Sequence, residues 1–383
     1  MARPATTTAA PARASLGVNV SLRTSDDIVA LDATGNVRYR APHALMTPSR
    51  GMLISTTDDE ETTVVQTIDP TDGRVLFSQK LAGEFVPVAL STGGQLAALA
   101  PAAYDPPAKG EIAVGRSTTT IAVIDTHASR PPQTITLTGN FVPEGFTSEN
   151  TALAAIEFLP AEHPVEYRVR VISLAEPGTL VPPFGWLTKE PLDMTMVGVR
   201  GSHVLTNDGQ FLYTLYRDRD GTAFVHSLGL DIGRQYCVNL PAELDLANST
   251  GAIGAAPDGA HLYLVTSAGK LAEITTGVAA GKNPEVTHVV DLGVSGDGTP
   301  PAVTVTSSTL YASLGSQLVA VDLASLGSTH TPLPAPASAL AVEPSVGTVY
   351  ASARDRIFAV GPQPAPALRL PAGIGAVSEL YLG

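Results

Sequence analysis

The residues in this chain whose type and spacing could do chemistry are mostly carboxylates. Asp58, Asp59 and Glu60 stand together, Asp105 and Glu111 fall in one polar stretch, Glu157 and Glu162 lie close to His163, and Asp218 and Asp220 alternate with arginines. Carboxylate oxygens gathered on loops can take Ca²⁺ or draw in a basic partner. Arg217-Asp218-Arg219-Asp220-Gly221 resembles the opening of a calcium loop but lacks the closing glutamate, and it reads as a turn. Large aromatics near these acids, Tyr104, Phe158 and Trp186, are candidate anchors for a partner. The expected binding set is therefore Asp58, Asp59, Glu60, Asp105, Glu157, Glu162, His163, Trp186, Asp218 and Asp220.

Other chemistries find less support. None of the eight histidines lies within four residues of another, and no H-E-x-x-H occurs, so no zinc site is expected. Cys237 is the single cysteine, which excludes an internal disulfide and reads as a structural thiol. There is no G-x-S-x-G elbow, no phosphate-binding loop and no dinucleotide fingerprint, so no nucleophilic hydrolase, nucleotide hydrolase or nicotinamide chemistry is indicated. His43 and His203 fall near strands expected to line an axis, where distant residues could still meet.

What must position these residues is a repeat. Ile28-Val29-Ala30-Leu31-Asp32 is a short apolar strand ending in an acid, and seven further strands ending in a small, polar or acidic residue follow, with ends at 69, 125, 173, 227, 275, 322 and 361. Spacings of about 40–55 residues are those of propeller blades. A second apolar strand precedes each marker, and Ala- and Gly-rich segments such as Gly251-Ala252-Ile253-Gly254-Ala255 suit innermost strands, where blades converge. A fourth strand follows, as in Val75-Leu76-Phe77-Ser78. Four strands per unit predict an all-β, single-domain β-propeller over residues 16–383. Eight blades are counted, seven being the alternative if the weak stretch 192–206 or the terminal pieces are misassigned. The C-terminal strand, 375–382, is expected to join the N-terminal strands and close the ring.

In such a ring the loops between second and third strands share one face with the connections between blades. The longest of these, 56–61, 101–117, 159–166 and 217–221, belong to units two to five, as does the connection 184–195. Insertions concentrated on one face mark a binding face, and here that face is acidic.

Composition sets outer limits. The net charge of −13 and five lysines argue against nucleic acid and anionic membrane surfaces, which reward dense positive charge. No apolar run reaches the ~18–20 residues needed to span a bilayer. Residues 1–15 are rich in Ala, Thr, Pro and Arg without an apolar core and read as a tail or leader remnant, which favours an extracytoplasmic setting, in the cell envelope or outside it.

Asp32-Ala33-Thr34-Gly35-Asn36-Val37, Ile68-Asp69-Pro70-Thr71-Asp72-Gly73 and Ala256-Pro257-Asp258-Gly259-Ala260-His261 look like the strand-turn-strand repeats of bacterial YVTN-type and quinoprotein-like propellers, with a WD40-like strand pattern. The resemblance covers nearly the whole chain and implies fold more than activity. It departs from quinoprotein alcohol dehydrogenases, whose repeats mostly end in tryptophan: Trp186 is alone and lies in a loop, and no quinone cofactor is expected. The reading is thus a non-catalytic binding or scaffolding propeller. Its acidic face would take a protein or glycan, with no cofactor, although Ca²⁺ is compatible with it. The alternatives are a propeller hydrolase or lactonase with its site at the axial funnel, and a propeller subunit of an amine dehydrogenase.

Overall fold

A strand with apolar residues at both odd and even positions must be covered on both faces, and Phe211–Arg217 and Leu96–Pro101 are buried along almost their whole length. The computed structural model shows how. It describes residues 15–25, 27–102, 107–127, 129–185, 191–230, 234–278, 281–343, 345–361 and 367–383. These residues form eight antiparallel sheets arranged as the blades of a β-propeller. The innermost strands of blades 1 to 8 are Glu379–Leu382, Leu45–Met46, Phe85–Leu90, Asn140–Phe146, Val199–Leu205, Gly251–Ala255, Val303–Val305 and Ala339–Glu343. Seven sheets have four strands. Blade 5 gains a fifth, because Phe184–Gly185 pairs in parallel with its outer strand Arg234–Asn239.

The eight-blade count holds, and so does the closure. Glu379–Leu382 pairs antiparallel with Val20–Arg23, in the register Val20↔Leu382 to Arg23↔Glu379, so blade 1 is built from both ends of the sequence. The stretch 192–206, weak as a pattern, contains a full innermost strand in blade 5.

The apolar side chains are divided among eight clusters, one at each seam between neighbouring blades. Strand periodicity does the dividing. Leu96 and Ala98 enter the seam of blades 3 and 4, while Ala97 and Leu99 enter that of blades 2 and 3. Leu262 and Leu264 face blade 5, and Tyr263 and Val265 face blade 7. A period of two is thus read out as two separate cores.

The acid that ends a marker strand shapes a turn. Asp32 Oδ1 accepts hydrogen bonds from the Thr34 amide at 2.8 Å, the Thr34 hydroxyl at 2.8 Å and the Asn36 amide at 3.0 Å, and the Asn36 and Thr34 side chains lead in holding its pKa far below the usual range. Asp69, Asp125 and Asp322 act in the same way. At the Asp69 turn, Gly73 has φ of 78°, and a Cβ there would sit 2.5 Å from the Tyr39 ring, so both conformation and space demand glycine.

Candidate functional site

On the upper face, which carries the second-to-third strand loops and the blade connections, the expected acidic residues are dispersed. Asp58 and Asp59 are in strand, not loop: the hairpin of blade 2 pairs Asp59 with Thr62 and turns on Glu60 and Glu61, with Glu60 at φ of 57°. The β-branched run Thr56-Thr57 and Thr62-Thr63-Val64 keeps the backbone extended where a loop was expected. Asp59 pairs with Lys80. Glu157 lies within strand Ala152–Leu159, where Arg168 and Arg170 donate to it at 2.6 and 3.0 Å and both also pair with Asp193. Asp218 and Asp220 cap their own turn. Asp218 Oδ1 accepts from the Arg219 amide, and Asp220 Oδ1 accepts from the amide and hydroxyl of Thr222, whose two bonds lower the Asp220 pKa. Asp105 and Trp186, with Tyr104, lie outside the described residues. Phe158 packs half-buried against the seam of blades 4 and 5, so it offers no exposed ring.

Among the described residues no group of three or more His, Cys, Asp or Glu side chains is placed to hold a metal ion. What the structure does bring together is the loops. The blade 3 insertion lies along the blade 4 loop, with the Ile112 amide donating to Pro164 O at 2.9 Å and the Arg116 amide to Ala161 O at 2.8 Å. His163 Nδ1 is 3.0 Å from Glu111 Oε1, and Asn140 Nδ2, on a buried residue, donates to Val114 O and Ala161 O. Arg219 of blade 5 donates to Gly110 O. At Gly115 a Cβ would overlap the carbonyl oxygen of Glu162, including the predicted acid through its backbone. Blades 3, 4 and 5 thereby share one continuous ledge.

The second candidate region is the axis, to which the sequence pointed through His43 and His203. Small residues on the inner strands, among them Ala89, Gly145, Gly201 and Ala252, leave a channel of about 950 Å³. Charged groups stand along it. Arg23 Nη1 pairs with Glu379 Oε1 at 2.7 Å, and Tyr381 donates to the other oxygen of Glu379. Arg50 lies 5.5 Å above the Tyr381 ring. Glu144 pairs with Arg200 at 2.8 Å; burial raises the Glu144 pKa while the arginine opposes the shift. His203 faces the channel, and enclosure by the ring, with the Arg200 charge adding to it, lowers its pKa to about 4. It is neutral at pH 7. His43, by contrast, sits at a left-handed position in the connection between blades 1 and 2 and does not line the channel.

The channel opens on the upper face as a funnel of about 820 Å³ against blades 5 to 8 and the closing segment of blade 1. Its wall is largely apolar, with arginines at the rim. Cys237, at the blade 4 and 5 seam, is 3.6 Å from Met196 Sδ, and burial raises its thiol to about 11, which keeps it protonated and inert. That agrees with its expected structural role.

No family model and no curated protein matches the sequence. Among solved structures, the dihydro-heme d1 dehydrogenase NirN in complex with DHE aligns with a TM-score of 0.54 and 13% identity over 96% of this chain and 75% of that one. A eukaryotic initiation factor aligns with a TM-score of 0.51 and 12% identity over 96% of this chain and 87% of that one. A 6-phosphogluconolactonase-like protein from Bacteroides uniformis gives a TM-score of 0.46 and 13% identity over 87% and 98% of the two chains. Identities this low bear on fold alone, and proteins of such different names share it. The chain is similar to β-propeller proteins of mixed function, and its own role has to be argued from its channel and upper face.

Proposed function

We propose that this propeller is a non-catalytic binding protein that takes a protein partner on its upper face, beside the ledge of blades 3 to 5. One observation carries the reading. Ten large apolar side chains are exposed among the described residues, and three of them, Val165, Met194 and Val197, belong to the loop of blade 4 and the connection from blade 4 to blade 5. Apolar groups held at the surface with polar and charged neighbours are what a docking site offers. The ledge beside them is fixed by backbone hydrogen bonds, so little ordering would be needed on binding. Glu162 and Glu166 bracket Val165 in the chain, which suits a partner with apolar anchors inside a basic rim.

Site-specific photo-crosslinkers test this reading. One replaces Met194; a control replaces Val346, which is more exposed and lies on the opposite face. A discrete adduct formed from position 194, absent from position 346 and lost with Val197→Asp, is the expected result. Identical adducts from both positions would remove the reading.

A second reading, hydrolysis at the axis, is supported by the cluster of Arg23, Glu379, Tyr381 and neutral His203. It ranks lower because a base with a pKa of about 4 is weak at pH 7. Lactone turnover that disappears in His203→Gln would promote it over the first.

A further inference from the structure

The funnel at the upper end of the channel combines two features that rarely coincide in so acidic a chain. Leu215, Leu246, Pro300, Pro336 and Val377 give it an apolar wall, and Arg217 and Arg354 stand on its rim with no carboxylate partner among the described residues. Arg217 comes from the end of the second strand of blade 5, and its Nη1 donates to Ser249 O at 3.3 Å, a contact that orients the guanidinium without neutralising it. Arg354 comes from the corresponding turn of blade 8, held at φ of 50°. A third arginine, Arg200, lies deeper and is already paired with Glu144. One carboxylate, Asp297, lines the funnel, and its Oδ1 accepts from the Thr299 amide at 3.1 Å and hydroxyl at 2.6 Å.

These groups select a ligand by chemistry. An apolar wall rewards a body that leaves water, at about 25 cal/mol per Å² of apolar surface buried. A guanidinium with free donors rewards carboxylate, sulfonate or phosphate oxygens, and hydrogen bonds of this charged kind are the stronger ones. The volume of about 820 Å³ is within the range of pockets that enclose small organic molecules. With a net charge of −13 the molecule as a whole repels anions, so local arginines are what would let an anion bind.

We propose that the funnel is a binding site for an organic anion with an apolar body, its anionic group drawn to the guanidinium groups that Arg217 and Arg354 place on the rim. This site is independent of whether a protein docks on the neighbouring surface.

A matched pair of dyes tests it: 8-anilinonaphthalene-1-sulfonate, and its uncharged relative N-phenyl-1-naphthylamine. Titrated against the full chain, the sulfonate is expected to bind one site at least tenfold more tightly than the neutral dye. Arg217→Gln and Arg354→Gln, both at exposed positions, should each weaken the sulfonate about threefold to tenfold and leave the neutral dye unchanged. Ala376→Trp, at an exposed position in the funnel wall, should displace both. No binding of the sulfonate, equal affinity for the two dyes, indifference to both arginine variants, or undiminished binding in Ala376→Trp would each overturn the proposal.

Discussion

Arg200 Nη1 donates to Glu144 Oε1 at 2.8 Å, tying the innermost strand of blade 5 to that of blade 4 at the wall of the channel. The carboxylate side chain is only 3% exposed and the arginine 39%, so the pair is asymmetric: the acid depends on the base for its charge. Arg200→Met would leave Glu144 buried and unpaired, at a cost of about 2 kcal/mol, below the usual range for a fully buried pair because Arg200 is partly solvated. The sign with pH follows from the raised pKa. Stability contributed by a group with a raised folded pKa is present below its unfolded value and is lost as pH rises through the folded one. The variant should therefore be more destabilised at pH 8 than at pH 5, as read by urea unfolding.

His226 makes the opposite prediction. It is buried in the third strand of blade 5, 3.1 Å from Gln235 Oε1, and burial lowers its pKa from 6.5 to about 4. The unfolded chain takes up the proton first, so the stability due to neutral His226 is complete above pH 6.5 and is lost as pH falls toward 4. A shift of this size corresponds to roughly 3 kcal/mol. His226→Gln should remove that part of the slope when unfolding free energies are measured between pH 7 and pH 4.5.

Gly115 tests the ledge without touching the ring. Because a Cβ would overlap Glu162 O, Gly115→Ala should part the two loops. Faster hydrogen exchange is expected at the Ile112 and Arg116 amides, which bond to Pro164 O and Ala161 O, with at most about 1 kcal/mol lost globally. Unchanged exchange at both amides would show that the loops are not held together by this contact.

Leu380 tests the closure. It is 5% exposed, pairs with Leu22 and enters the seam of blades 8 and 1. Leu380→Ala should cost about 2–4 kcal/mol in denaturant unfolding, as at other well-packed leucines. A loss well below 1 kcal/mol would mean that the closing strand adds little to the ring.

The ring itself was legible because its signals are local. An acid at a strand end, a glycine in the next turn and an apolar run before both recur whatever surrounds them, and Asp32 and Asp69 show the mechanism. The channel was not legible for a physical reason. Asn140–Phe146 and Val199–Leu205 line an aqueous axis on one side and both carry register shifts, between Pro143 and Gly145 and between Arg200 and His203, so neither keeps a clean alternation. Glu144 and Arg200 were therefore passed over. Composition also misled: Thr56-Thr57-Asp58-Asp59 is polar enough for a loop but β-branched enough for a strand, and the backbone preference prevailed. The acidic residues near 157 and 218 looked free because a sequence does not show that Arg168 and Arg170 reach across to one, or that a turn consumes another.

The division of each strand's side chains between two seams has a mechanical consequence. In an open repeat array the last unit has one neighbour and frays first. Here Leu96 and Ala97, adjacent in the chain, press on different blades, and this pattern continues around a closed circle, so each blade is gripped from both sides and no unit is terminal. Loops on the upper face hang from an already locked frame. Those that send no side chain into a seam can be exchanged without renegotiating what holds the frame together, whereas Met196 and Leu246 tie their connections into it.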